Sequence, residues 1–142
     1  MKKFYYSLQK VLNLREFYEK EAEIALGKAI SARDAIQLDL SEVAKKRVSS
    51  AAERKGSLRV EDLLAIEHFI QRLDIRKEEL LKELTAAELV LEQKRILYLE
   101  ATKNRQVLTK LKEKKESVWH KEYLNSEAAI LDDIVNFRSR EI

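Results

Sequence analysis

VEDLLAIEHFIQRLDIRKEELLKELTAAELVLEQKRILYLEATKNRQVL, residues 60–108, decides the fold. One position recurs every seven residues as Ile66, Leu73, Leu80, Ala87, Lys94, Ala101 and Leu108. Its companion gives Leu63, Ile70, Lys77, Leu84, Leu91 and Tyr98. Alternating steps of three and four put both series on one narrow stripe of an α-helix and keep them there only if the helix winds around a partner. The partner lies upstream in the same chain, where Ala22, Ala25, Ala29, Ala32, Ile36 and Val43 form a smaller, alanine-rich seam, with Leu40 one place off the repeat. A small seam against a leucine-rich one lets two helices lie close.

Between the two seams lies the one clear break, Lys55-Gly56-Ser57-Leu58-Arg59. Gly56 suits a left-handed helix C-cap, and Ser57 can cap the next helix, with Glu61 and Asp62 in its first turn. The predicted fold is therefore all-α: an antiparallel two-helix coiled-coil hairpin forming a single domain over 1–142. Helix 1 covers about 5–54, the turn about 55–59, and a longer helix 2 about 60–138. With the turn centred near Leu58, Val43 is expected to face Leu73, Ile36 to face Leu80, Ala29 to face Ala87 and Ala25 to face Leu91. The seam lysines find acids under the same rule, Lys77 opposite Asp39 and Lys94 opposite Glu21 or Glu23. Leu8 opposite Leu108 exhausts helix 1 near residue 110. Helix 2 then continues alone with Val118, Trp119, Tyr123, Leu124, Ile130, Leu131, Ile134, Val135 and Phe137, an apolar surface that calls for another protein.

Composition agrees. The 142 residues include no proline, two glycines and no cysteine, and 37% are charged, the mix of long helices and coiled coils. Without cysteine there is no disulfide or thiolate metal site, which suits a reducing cytoplasm. No apolar run is long enough to cross a bilayer, and the opening Met1-Lys2-Lys3-Phe4-Tyr5-Tyr6 is soon interrupted by polar residues, unlike a signal peptide. A net charge of +3 from 28 basic and 25 acidic residues is not the footprint of a nucleic-acid binder.

Catalytic chemistry has little to stand on. There is no Gly-rich phosphate loop and no cysteine nucleophile. His68 and His120 are not at a metal-ligand spacing, and two helices alone enclose no pocket able to shift a carboxylate pKa. The expectation is a non-enzyme without cofactor. The basic group Lys103, Arg105, Lys110, Lys112, Lys114, Lys115 and Lys121 reads first as a solvated face, next as a match for an acidic partner surface, and last as an RNA or lipid contact. Phe69 sits beside the seam, where it either covers it or contacts a partner. Trp119 and Tyr123, one turn apart, are stronger contact candidates.

Three segments in order carry a family resemblance. Phe4-Tyr5-Tyr6-Ser7-Leu8-Gln9-Lys10-Val11-Leu12-Asn13-Leu14-Arg15-Glu16 resembles the opening of the FliJ family, an aromatic pair followed by Leu-Gln-x-Val-Leu-x-Leu-Arg. Phe69-Ile70-Gln71-x-Leu73 resembles its segment after the turn. Trp119-x-x-x-Tyr123-Leu124-x-x-Glu127-x-x-x-Leu131-Asp132-Asp133-Ile134 resembles its ending. The resemblance implies a cytoplasmic coiled-coil stalk of the flagellar type III export apparatus, peripherally associated with the inner membrane at the flagellar base. It implies three partners: a hexameric export ATPase whose assembly and activity the stalk promotes, the membrane export gate, and export chaperones. Carried onto this chain, Leu8, Leu12, Arg15, Trp119, Tyr123, Leu131, Ile134 and Arg138 become ATPase-contact candidates. Phe69, Leu73, Arg76 and Leu80 become gate-contact candidates. Some relatives have aromatic residues on the first-helix side of the gate surface, where this chain has Ile36, Leu40 and Val43. The expected molecule is a monomer when free, with no nucleic-acid partner and no direct membrane insertion. The alternatives are the equivalent stalk of a virulence-type secretion system and a generic dimeric coiled-coil scaffold or chaperone.

Overall fold

The computed structural model describes residues 3–56 and 59–141. It contains two α-helices, α1 (Gln9–Gly56, 48 residues) and the longer α2 (Val60–Glu141, 82 residues), and no strand among the described residues. The two helices pack against each other, as the heptads predict.

The repeat along α1 is more regular than the apolar residues suggested. Leu8, Arg15, Ala22, Ala29, Ile36, Val43 and Ser50 recur every seven residues, with Leu12, Glu19, Leu26, Arg33 and Leu40 as companions, and all of them are buried or half-buried. Leu40 is thus in phase. Ala32 is exposed, and the aliphatic stem of Arg33 occupies the seam beside it, as long charged side chains can while keeping their heads wet. On α2 the expected seam is buried or half-buried from Leu63 to Leu108, except that Lys77 is exposed.

Contacts group the chain into two units, one of residues 21–99 and one of residues 1–20 with 100–142. In the first, Ala29, Ile70, Leu73 and Leu80 are the buried apolar residues among those described, and Ser50 is buried too. Arg47 Nε bonds Asp74 Oδ1 at 2.7 Å and Arg54 Nη1 bonds Glu67 Oε2 at 3.0 Å. These two pairs run in opposite directions along the two helices, which makes the packing antiparallel. Near the connection Gly56 is the last residue of α1, and no glycine has a positive φ. The expected left-handed cap at Gly56 is therefore absent; the basic pair Arg54 and Lys55 in the last turn complements the helix dipole there. The Arg59 carbonyl accepts from Leu63 N–H at 3.0 Å, and Glu61 and Asp62 lie in the first turn of α2. Ser57 and Leu58, the expected cap and turn centre, lie outside the described residues.

In the second unit, α1 begins at Gln9 rather than near residue 5. Residues 3–6 are not helical, and Tyr6 is buried. With Leu12 and Leu108, Tyr6 forms a buried cluster, against which Phe4, Leu8 and Leu111 pack. Its hydroxyl donates to the Leu108 carbonyl at 3.1 Å, and its own carbonyl accepts from Gln9 N–H at 3.1 Å. Leu12, one turn beyond the expected Leu8, is thus the buried partner of Leu108.

Candidate partner-binding surfaces

The last turns of α2 expose Leu124, Ile130, Leu131, Ile134, Val135 and Phe137. The expectation left α2 uncovered from about residue 110, but the N-terminal segment reaches further. The Phe4 ring lies 6.0 Å from that of Trp119, tilted by 55°, and Trp119 stacks on Tyr123 at 5.7 Å and 13°. Tyr123 in turn donates its hydroxyl to Glu127 Oε1 at 2.7 Å. That hydrogen bond, followed by desolvation and the carboxylate's charge, holds the phenol above its ordinary pKa. Trp119 and Tyr123 are half-buried rather than free.

Beyond them every residue from Leu124 to Arg140 is exposed. At 1.5 Å per residue this is about 25 Å of helix. Within it Ile130, Ile134 and Phe137 continue the line of Tyr123, while Leu124, Leu131 and Val135 form a second line beside it. Both lines keep three–four spacing, with Glu127 and Arg138 between them. Leu131 is 61% exposed, Ile134 48% and Phe137 64%. Ile130, Ile134 and Phe137 line a shallow groove closed by Asp133 and Arg138.

The other ATPase-contact candidates divide by burial. Leu12 is core and Leu8 packs against it. Arg15 is half-buried, and its Nη1 donates to the Asn104 carbonyl at 2.7 Å. Close by, Arg105 Nε bonds Glu19 Oε2 at 2.8 Å, with both side chains mostly buried. Neither cross-helix contact of these arginines was legible in the sequence, because the partners are a backbone carbonyl and a glutamate standing at a seam position.

The gate-contact candidates divide the same way. Leu80 is fully buried and Leu73 nearly so, which gives both a packing role. Phe69 is 36% exposed and lines a shallow groove with Ser50 and Ile66, the small Ser50 leaving space beside the ring. The Arg72 guanidinium lies 5.8 Å from the Phe69 centroid. Arg76 is exposed and pairs with Glu79 at 3.2 Å and Glu83 at 3.9 Å. Phe69, Arg72 and Arg76 are therefore the accessible part of that region.

No group of three or more His, Cys, Asp or Glu side chains among the described residues is arranged to hold a metal ion. No helix among them is long and apolar enough to cross a membrane. The family model described as "Flagellar FliJ protein" matches residues 4–141. The chain belongs to the FliJ family. Membership makes it a component of the flagellar export apparatus, in a family of structural export components rather than of known enzymes. No curated protein and no solved structure matches the chain.

Proposed function

We propose that this FliJ-family chain is the central stalk of flagellar protein export and binds a hexameric export ATPase through its C-terminal helix. The single observation that carries the reading is the exposed double stripe of α2 between Leu124 and Phe137. An apolar surface of that length on a lone helix costs free energy until another protein covers it. The socket would take Leu131, Ile134 and Arg138 directly, while Trp119 and Tyr123, held by Phe4, shape its rim. Leu8, Leu12 and Arg15 act from beneath by fixing the N-terminal segment against α2. Phe69, Arg72 and Arg76 offer the surface for the membrane export gate, with Leu73 and Leu80 supporting it from the core. Export chaperones are the third class of partner, and the stalk works in the cytoplasm, peripherally at the inner membrane.

The test is capture of the cognate ATPase and stimulation of its hydrolysis. Ile134→Asp with Phe137→Asp should abolish both while far-UV circular dichroism stays unchanged, because neither side chain touches the core. Full stimulation by the double variant would reject the C-terminal contact. Light scattering that shows an obligate dimer held together by this segment would assign the stripe to a second copy instead.

A further inference from the structure

On α2 the residues Lys103, Lys110, Lys114 and Lys121 are spaced seven, four and seven apart, and all four are exposed. At 100° per residue they fall within about 40° of one another, on a line about 27 Å long. Ala101, Leu108 and Trp119, which face the first helical segment, lie about 140–160° away on the same wheel, so the lysines point outward. Between Lys103 and Lys121 no acid falls on this line. The nearest, Glu113, is about 60° off its edge, and Val107 and Val118 border the opposite edge, 62% and 49% exposed. None of the four lysines takes part in a hydrogen bond, ion pair or ring contact.

The choice of cation is informative. Arginine holds the carboxylate across the helix pair in Arg47–Asp74, Arg54–Glu67 and Arg105–Glu19. Arginine's planar fork suits a fixed carboxylate, whereas lysine is a hydrated point charge on a flexible stem that needs no defined geometry. A straight line of lysines without arginine, edged by small exposed valines and without an aromatic on it, fits a diffuse, deformable plane of negative charge. We infer that this face lies against an anionic phospholipid surface, the lysines among the headgroups and Val107 and Val118 at their level. The contact is adsorption, not insertion. It stands apart from the ATPase reading, since it uses none of the residues assigned to that contact and its assay contains no ATPase.

The experiment is co-sedimentation of the full chain with large vesicles of phosphatidylcholine alone or with 30 mol% phosphatidylglycerol, at low and high salt. The wild-type chain should sediment with the anionic vesicles at low salt, not with neutral ones, and be released as salt shortens the screening length. Each lysine near such a surface is worth about a fivefold change in partitioning, so Lys103→Gln, Lys110→Gln, Lys114→Gln and Lys121→Gln together should bring binding down to the neutral-vesicle level. An equal charge loss at the exposed Lys28, Lys45, Lys55 and Lys82 should leave most of it. Glutamine is a good helix former, and circular dichroism confirms that both variants are folded. Absence of wild-type binding to the anionic vesicles, or equal loss in both quadruple variants, would overturn the assignment. So would a single-stranded RNA 20-mer that displaces the chain from the vesicles, which would make the line a nucleic-acid contact.

Discussion

Truncating Leu80 should separate the core of this molecule from its surface. Leu80 is fully buried, while its neighbour Leu81 is 38% exposed. Leu80→Ala removes three carbons from the seam, about 2.4 kcal/mol at ~0.8 kcal/mol per buried methylene. The space left behind adds to that, and fully enclosed leucines lose up to about 5 kcal/mol. Here the site borders a groove open to solvent and lined by Val43, Leu73 and Arg76, so neighbouring side chains can settle into the gap. The expected loss is therefore about 2–3.5 kcal/mol. For a chain of this length that lowers the melting temperature by roughly 7–15 °C. Leu81→Ala deletes the same atoms from a wetter position and should cost under about 1 kcal/mol. Thermal melts followed at 222 nm compare the two directly. Equal melting temperatures for the two variants would refute the assignment of Leu80 to the buried seam and with it the phase of the whole α2 repeat.

Tyr6→Phe keeps the ring in its cluster but loses the donor to the Leu108 carbonyl, so it should destabilise by about 1 kcal/mol in a urea titration. Gly27→Ala should stabilise by about 0.5–1 kcal/mol, since an added Cβ at this exposed helical position meets nothing within 4 Å and the alanine costs less backbone entropy; an unchanged or lower midpoint would count against it. The hydrogen bond from Arg47, more than any other contact, holds the Asp74 carboxyl below the ordinary aspartate range. Its contribution is thus fully present above about pH 4 and lost as pH falls through the lower folded pKa. Melting temperatures at pH 5 and pH 3 should differ less in Arg47→Gln than in the wild type.

How far the sequence could be read depended on what its repeat encodes. A heptad states which face of a helix is buried, and the α2 seam from Leu63 to Leu108 emerged almost entire. It says little about axial stagger, because a slide of one turn still sets apolar residues against apolar residues. That is why Leu12 rather than Leu8 meets Leu108. Charged residues at seam positions hid the regularity of α1, where Glu19 meets Arg105 across the helices and Arg33 is half-buried beside Asp34. The long C-terminal helix was legible, and its uncovered part was overestimated. The aromatic pair at Tyr5 and Tyr6 gave no sign that Tyr6 would leave the helix to pair with a backbone carbonyl. Among the candidate contact residues, exposure separates Leu131, Ile134, Arg138, Phe69 and Arg76 from Leu12, Leu73 and Leu80, a distinction that spacing alone cannot make.

The contact between Phe4 and Trp119 gives the molecule its own optical gauge. The chain has one tryptophan, and it sits where the non-helical leading segment lands. If that segment lifts, the indole loses an aromatic neighbour and meets water, so its emission shifts to longer wavelength without any label. Undocking of the first few residues, whether by heat, by Phe4→Ala or by a partner prying them away, can then be followed at the nanomolar-to-micromolar concentrations of an ordinary cuvette, separately from the helix content of the chain behind it.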